Sequence, residues 1–158
     1  MGILPLARLR KPDTRTFLGG FDGETRRLMA HGYGRLKYFK NHTIGSAIEA
    51  VLRAEEFEPH PCVQGVAFAY AMVNNRDLHR VFLAGEQMAD AGLRAAFTDG
   101  LTYALEFWEW MAPGFLDQFE ARTGYERDLA RTARAEVESD RRRGPMAAFA
   151  VGSQRLLQ

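Results

Sequence analysis

The sequence predicts an all-α protein, a compact bundle of five to seven helices built from helix-hairpin-like repeats. Apolar residues recur at the three- and four-residue spacing of a helix from Asp22 to Arg141. Alternation of apolar and polar residues, which is typical of a half-buried strand, is never sustained. A pattern containing glycine also recurs at spacings of 33 and 35 residues, which is the length of a helix–turn–helix repeat.

The first three helices are delimited by caps and prolines. Asp22 is the predicted N-cap of a helix that runs to about Phe39, and Thr43 is the predicted N-cap of the second helix. Pro61 suits the first turn of the third helix. That helix is apolar on nearly every side over residues 63–73, so we expect it to be buried all round.

The later helices are predicted from similar signals. Asn75 is the expected cap of a short fourth helix, with Gly85 just beyond its end. A fifth helix spans about 89–111 and stops at a Pro-Gly pair, after which a short sixth helix ends near Gly124. The last helix, over about 125–141, is highly charged and repeats apolar residues along one face only.

Length and composition favour one helical domain with flanking segments. The chain has 158 residues, of which 46% are hydrophobic and 26% charged, as in ordinary globular proteins. We expect the helical domain to occupy residues 22–141. An irregular arm rich in proline and glycine precedes it over residues 1–21, and a loosely held tail follows over residues 142–158.

Charge and cysteine content argue against several classes of protein. The net charge of +1 provides no field for nucleic acid, so we expect no nucleic-acid partner. Cys62 is the only cysteine, so an internal disulfide is impossible. The sequence shows neither a signal-peptide pattern nor an apolar run that could span a bilayer. We therefore expect a cytoplasmic protein without a membrane partner.

Three segments share the repeated glycine pattern: "AHGYGRLKYF", "VQGVAFAYAM" and "TDGLTYALEF". Each has a polar residue directly before a glycine, an apolar or small residue four positions after it and a large apolar residue seven positions after it. The glycines are Gly32, Gly65 and Gly100. Glycine within a helix costs about 1 kcal/mol relative to alanine, and close approach of backbones can offset that cost. We interpret these glycines as the points where the first, third and fifth helices cross.

The polar residues before the glycines are the candidate site residues, His31, Gln64 and Asp99. They either satisfy structural hydrogen bonds in dry places or converge on a ligand pocket. Such a pocket would also be lined by the nearby tyrosines, which are Tyr33, Tyr70 and Tyr103. For a structural role, we expect Gln64→Ala and Asp99→Ala to destabilise the fold. His31 lies nearest the arm, so we expect His31→Ala to have little effect.

No established catalytic or metal-binding signature occurs in the sequence. The four histidines are scattered and form no zinc-protease helix pattern. Cys62 follows a proline at a helix start, where a buried, inert thiol is favoured over a reactive thiolate. We expect no metal and no cofactor, and the sequence leaves open whether the protein is an enzyme.

The fifth helix carries an aromatic surplus in "FWEWM". Phe107 and Trp110 project away from the predicted inner stripe, which includes Trp108. They form either a second packing surface or an exposed hydrophobic patch of the kind that binds a partner. We expect a homodimer that buries Phe107 or Trp110.

Short motifs between Thr16 and Phe107 resemble a known family. They are "TFLGGF", a G-x-G helix, "QGVAFAYAMV", "FLAG" and "DGLTYALEF". Together they resemble proteins of unknown function encoded beside enediyne polyketide synthases. That family is roughly twice as long and has two related halves, so this chain is similar to one half. The resemblance implies that a second copy completes the fold, and it transfers no catalytic residue.

Two functions from different classes follow from these observations. The resemblance and the tyrosines favour a small-molecule-binding or accessory protein of specialised metabolism, of the enediyne or polyketide type, with an apolar small molecule as its partner. The repeat period and the aromatic surplus favour a helical protein-interaction or scaffold module without catalytic activity.

Overall fold

The computed structural model describes residues 18–143, which fold into seven helices without a strand. The all-α prediction is therefore confirmed. Residues 1–17 and 144–158, which hold most of the predicted arm and tail, lie outside the described part. The helices are α1 Gly23–Asn41, α2 Ile44–Leu52, α3 Pro59–Val73, α4 Leu78–Glu86, α5 Ala91–Met111, α6 Phe115–Gln118 and α7 Gly124–Arg143.

Side-chain caps fix the starts of α1 and α2 where the sequence predicts them. Asp22 Oδ1 accepts a hydrogen bond of 2.6 Å from the backbone N–H of Thr25. Thr43 Oγ1 accepts one of 3.3 Å from the N–H of Ser46. These bonds satisfy amide groups that have no partner within the first turn of a helix. α1 then ends at His42, whose left-handed φ of 59° breaks the helix.

Two predictions about α4 are wrong. Its N-cap is Asp77 and not Asn75, because Asp77 Oδ1 accepts the hydrogen bond from the N–H of Arg80 at 3.2 Å. Gly85 lies inside the helix and is buried, whereas the sequence predicts it beyond the end. A Cβ atom on Gly85 would lie 2.6 Å from the hydroxyl of Tyr125, so glycine is needed there for packing and not for a helix stop.

The four long helices α1, α3, α5 and α7 lie side by side in chain order, and the short helices connect them. α1 and α3 run parallel, because one contact joins the starts of the two helices and another joins their ends. Arg27 forms an ion pair of 3.7 Å with Glu58 before α3, and Asn74 after α3 donates to the Tyr38 hydroxyl at 3.2 Å. Each long helix with its following short helix therefore forms one repeat.

α5 and α7 run parallel in the same way. The hydroxyls of Thr98 and Tyr125 are 2.8 Å apart near the start of α7, and Glu109 pairs with Arg141 at 2.9 Å near its end. Glu109 is buried and also accepts hydrogen bonds from the N–H groups of Gly114 and Leu116, which fixes the turn into α6. The result is one array of parallel long helices from α1 to α7.

Close crossings of the long helices occur at two of the three predicted glycines. A Cβ atom on Gly65 would overlap the carbonyl oxygen of His31 and lie 2.9 Å from its carbonyl carbon. A Cβ atom on Gly100 would overlap the carbonyl oxygen of Gln64. These contacts confirm that α1 crosses α3 and that α3 crosses α5 at glycine.

The prediction for Gly32 is wrong. No atom outside its own helix turn lies within 4 Å of a Cβ atom built there, and the residue is exposed. Gly34 makes the close approach on α1, because a Cβ atom there would overlap the carbonyl oxygen of Cys62. Among residues 18–143, no helix packs against Gly32.

The core is centred on α3, which is buried on most sides as predicted. Its fully covered residues include Cys62, Val63, Val66, Ala67, Ala69 and Ala71. α7 contributes its predicted apolar face, with Leu129, Ala133 and Val137 buried, and it also buries Ala130, Glu126 and Asp140. The array is therefore thickest in the middle and polar along the outer side of α7.

Candidate ligand-binding site

Two of the predicted site residues, Gln64 and Asp99, come together at the surface. Gln64 Nε2 donates to Asp99 Oδ2 at 3.5 Å, and His60 Nε2 lies 3.0 Å from the same oxygen. The side chains of His60 and Asp99 are 54% and 55% exposed, so solvent competes for these bonds. The cluster is therefore a weak surface network and not the wall of an enclosed pocket.

His31 lies apart from that cluster and is buried, with 3% of its surface exposed. Its ring meets the edges of Phe68 at 5.7 Å and Tyr103 at 6.0 Å, and no residue within 18–143 forms a hydrogen bond with its Nε2. Burial, with a smaller contribution from the positive charge of Arg35, lowers the pKa of His31 to about 4. Its imidazole is therefore neutral at pH 7. The expectation that His31→Ala has little effect stays a prediction.

The three predicted tyrosines pack against different aromatic rings. Tyr33 stacks on Phe57 with ring centroids 4.6 Å apart, and Tyr70 meets the edge of Tyr38 at 5.7 Å. Tyr103 packs against Phe68 at 5.1 Å and so joins His31. Among the six predicted residues, Gln64 contacts Asp99 and His31 contacts Tyr103. A ligand-binding role for the six stays a prediction.

The aromatic residues predicted for a dimer interface have different environments. Phe107 is half-buried and meets the edge of Phe68 at 5.7 Å, so it packs against the core of its own chain. Trp110 is 38% exposed, and the guanidinium of Arg141 lies 5.8 Å from its ring centroid. A dimer that buries either residue stays a prediction.

A cleft of about 390 Å³ lies at the start of α4, beside α6 and the loop that follows it. No residue predicted as a site residue lines it. The residues around it are His79, Phe115, Gln118, Phe119 and Glu120. The cleft therefore combines two half-buried aromatic rings with one histidine and a polar rim.

His79 is held in this cleft by a buried carboxylate. Its Nδ1 lies 3.0 Å from Glu126 Oε1, and the Glu126 side chain is only 4% exposed. The second carboxylate oxygen accepts the backbone N–H of Thr123 at 3.3 Å, while the Thr123 hydroxyl accepts the N–H of Glu126 at 3.2 Å. This reciprocal capping box at the start of α7 holds the Glu126 carboxylate in place, and the carboxylate in turn orients the His79 ring.

The electrostatics of Glu126 determine which nitrogen of His79 can serve a ligand. Burial alone would raise the pKa of Glu126, but the backbone N–H groups of Arg122 and Thr123 together with His79 hold it below its usual range. Glu126 is thus ionised at neutral pH and only accepts hydrogen bonds. It therefore accepts the N–H at Nδ1 of His79, which leaves Nε2 as the ring nitrogen that can contact a ligand.

Stacking fixes the plane of the His79 ring as well. The ring lies over Phe119 with centroids 5.7 Å apart and an interplanar angle of 29°. Phe119 in turn meets the edge of Phe82 at 5.5 Å, and Phe82 belongs to the core. The cleft therefore has a flat wall in which one imidazole nitrogen is held in a fixed orientation.

The sequence predicts only one part of this site, the capping box. Thr123 and Glu126 have the spacing of a capping box, which predicts a glutamate turned back towards the helix start. His79 is separated from Glu126 by 47 residues, and only the packing of α4 beside α7 brings the two together. Spacing along the chain could not have identified this pair.

Other reactive groups in the described part are not arranged for chemistry. Cys62 is fully buried, and burial, with a smaller effect of Glu58, raises the pKa of its thiol to about 12. The thiol is therefore protonated and unreactive at neutral pH. No cluster of three or more histidine, cysteine or acidic side chains that could hold a metal ion occurs within residues 18–143.

Comparisons with protein-family models, with curated proteins and with solved structures found no match. No helix within residues 18–143 has the length and apolar character needed to cross a membrane.

Proposed function

We propose that this protein binds an apolar small molecule as a binding or accessory protein of specialised metabolism, of the enediyne or polyketide type. The observation that carries the binding role is the cleft in which Glu126 orients His79. The type of metabolism rests on the sequence resemblance between Thr16 and Phe107 alone.

The chemistry of the cleft selects for a flat ligand with a hydroxyl group. Phe115 and Phe119 offer apolar contact to a conjugated or aromatic skeleton. Nε2 of His79 forms one hydrogen bond with the ligand hydroxyl, because Glu126 occupies Nδ1. The cleft of about 390 Å³ is open to solvent on one side, so it would cover one face of a flat ligand.

Binding of 2-naphthol and of naphthalene tests this proposal, since the two probes differ only in the hydroxyl group. We expect 2-naphthol to bind roughly tenfold more tightly, which corresponds to about 1.4 kcal/mol for one hydrogen bond. His79→Phe keeps an aromatic ring in the wall and should abolish that preference. Amide chemical shifts in titrations followed by nuclear magnetic resonance give both affinities and the residues affected.

His60→Phe is the matched control, because His60 also contacts a carboxylate but lies at the surface beside Asp99. It should leave the preference for 2-naphthol unchanged. Equal affinities of the two probes for the unmodified protein, or shifts that avoid the residues around the cleft, would contradict the proposal.

The alternative function, a helical interaction or scaffold module, is favoured by the array of repeats and by the exposed apolar face of α1. Such a module requires no ligand beside His79, so the naphthol experiment separates the two functions. We also propose a homodimer that buries Phe107 or Trp110.

A further inference from the structure

The pair of His79 and Glu126 has an arrangement that is typical of histidines that transfer protons. Nδ1 of His79 lies 3.0 Å from Oε1 of Glu126, whose carboxylate is buried. A carboxylate at one ring nitrogen fixes the tautomer, and it stabilises the positive charge that forms when the other nitrogen takes a proton. Nε2 of His79 therefore has the electrostatic support that a general base requires.

The side chains around the cleft favour proton transfer over group transfer. Among the described residues that line the cleft, none is a serine, threonine or cysteine that could act as a nucleophile. Glu120 is exposed at the rim, where water solvates its carboxylate and weakens it as a base. The His79 side chain is only 24% exposed and stacks on Phe119, so its ring keeps less of its hydration. The cleft is thus suited to moving a proton within one substrate.

Flat aromatic walls determine which substrate can bring a proton to Nε2. Phe119 lies against the His79 ring at an interplanar angle of 29°, and Phe115 is backed by Trp108 with ring centroids 6.2 Å apart. Planar conjugated molecules pack well on such faces. In a conjugated ketone, the hydrogen on the carbon next to the carbonyl group is acidic, because the electron pair left behind spreads onto oxygen. A flat conjugated ketone therefore matches the cleft in shape and in chemistry.

We infer that His79 is the general base that converts a flat conjugated ketone into its enol in this cleft. The inference rests on the proposed binding role of the same cleft, and it identifies the hydroxyl-bearing ligand as the product. Nε2 of the unprotonated ring takes the proton from the carbon next to the carbonyl group. The C–H electron pair forms the C=C bond, and the carbonyl π pair moves onto oxygen. The imidazolium then gives the proton to that oxygen, so no oxidant and no second reactant is required.

Glu126 acts through His79 as a positioning residue. Its Oε2 accepts the backbone N–H groups of Arg122 and Thr123. In Glu126→Gln the amide oxygen takes over these two hydrogen bonds, so the NH2 group turns towards Nδ1 of His79. Nδ1 then has to accept, and the ring proton moves to Nε2. The base is lost although glutamine also suits the capping box.

Elimination of 5-nitrobenzisoxazole tests His79 directly, because this flat bicyclic probe needs only a base. Removal of the hydrogen from its C3 atom forms a nitrile and breaks the ring N–O bond, which releases a coloured phenolate. At about pH 8, where histidine side chains ordinarily carry no charge, we expect kcat/KM of the unmodified full chain to exceed that of His79→Phe by about 100-fold or more. Deuterium at C3 should slow the reaction, since the C–H bond breaks in this step.

2-Tetralone tests whether the base also acts on a ketone. Its two fused rings resemble those of 2-naphthol, and its C1 hydrogens lie between a carbonyl group and an aromatic ring. In deuterated water, the protein-catalysed exchange of these hydrogens should fall by about 100-fold in His79→Phe. Proton nuclear magnetic resonance of the ketone measures this exchange.

Two further variants keep these tests interpretable. His79→Asn places an amide N–H near the position of Nδ1, so it keeps a donor for Glu126 but has no base. It should be folded by circular dichroism and as slow as His79→Phe. His60→Phe is the matched control, because His60 also contacts a carboxylate but lies outside the cleft. It should keep the full rate.

The nitrogen chemical shifts of the His79 ring test the role of Glu126 separately from stability. In the unmodified protein the ring proton should be on Nδ1, and in Glu126→Gln it should be on Nε2. The elimination rate should fall by about 100-fold in the same variant. A glutamate with a structural role alone would change the free energy of unfolding and leave the tautomer as it is.

Three results would overturn the inference. One is an elimination rate of the unmodified protein that is no greater than that of His79→Phe and His79→Asn. Preferential binding of 2-naphthol together with this result would retain the proposed binding role and remove the base. Another is a rate that survives both variants but falls in Glu120→Gln, which would assign the base to Glu120. The third is an unchanged rate in Glu126→Gln after the tautomer has changed, which would exclude Nε2.

Discussion

Gly65 and Gly32 occupy the same position in two repeats and have opposite environments. Gly65 lies against the backbone of α1 so closely that a methyl group would overlap a carbonyl oxygen, whereas Gly32 faces open space. The sequence around them is similar, but among residues 18–143 only Gly65 has another helix packed against it. A repeat pattern therefore indicates which face of a helix packs, but not whether a neighbour is there.

The polar residue before each glycine shows the same contrast. His31 is buried against Phe68 and Tyr103, while the carboxylate of Asp99 is more than half exposed beside His60. Burial of a side chain at this position depends on whether the following helices close over it. The free energy lost when such a residue is substituted therefore depends on how deeply its side chain is buried, and not on which repeat position it occupies.

The largest effect is expected for Gly65→Leu, which places a side chain at the point where α1 crosses α3. The new side chain would overlap the His31 carbonyl and also approach the backbone nitrogen of Arg35, and backbone atoms cannot move away cheaply. We expect a loss of about 3 kcal/mol in the free energy of unfolding. Denaturation with urea, followed by circular dichroism, gives the value.

Gly45→Leu is the control for this substitution, because a Cβ atom on Gly45 meets no atom within 4 Å. Replacing an exposed helix glycine raises helix propensity, so this variant should be as stable as the unmodified protein or more stable. If Gly65→Leu were equally stable, the close crossing of α1 and α3 would be wrong.

The second largest effect is the change in the free energy of unfolding with pH that is due to His31. Its pKa is about 4 in the folded protein against an ordinary value of 6.5, so between these values the unfolded chain binds a proton that the folded protein does not. Stability due to this residue is therefore lost as the pH falls from about 6.5 to about 4. Between pH 6.5 and 4.5 the loss should be about 2 kcal/mol.

His31→Leu isolates this contribution, since it fills similar space without a titratable group. The difference in free energy of unfolding between the unmodified protein and His31→Leu should change by that amount over the two pH units. Glu109 and Glu126, whose pKa values are lowered in the folded protein, lose their contributions mainly below pH 4.5 and are common to both variants. A pH-independent difference would show that His31 is accessible to protons in the folded protein.

The fold could be predicted from the sequence because helical period and capping are local properties. The caps Asp22 and Thr43 and the buried α3 are confirmed, since each depends on neighbours within a few residues of the chain. The error at α4 has the same origin. Asn75 and Asp77 are both good capping residues, and only packing selects Asp77.

The candidate site could not be predicted, because its parts are distant in the sequence. His79 reaches Glu126 across 47 residues, and the cleft forms where α4, α6 and the following loop meet. The glycine pattern drew attention to His31, Gln64 and Asp99, which share a repeat position. A shared repeat position places residues on successive helices about one helix diameter apart, so it does not bring all three to one point.

The smallest effect is expected for Asp99→Ala, although the sequence predicts that this change destabilises the protein. The carboxylate contacts His60 at 3.0 Å and Gln64 at 3.5 Å, and both contacts are reached by solvent. Exposed pairs contribute at most about 1 kcal/mol, and water replaces the lost partner here, so we expect a change of about 0.5 kcal/mol or less. The double variant His60→Ala, Asp99→Ala should cost no more than the sum of the single variants. Denaturation of all three proteins with urea tests this. A loss above about 1.5 kcal/mol for Asp99→Ala alone would mean that the carboxylate is held away from water, as the His31 ring is. That result would remove the contrast between the two repeat positions.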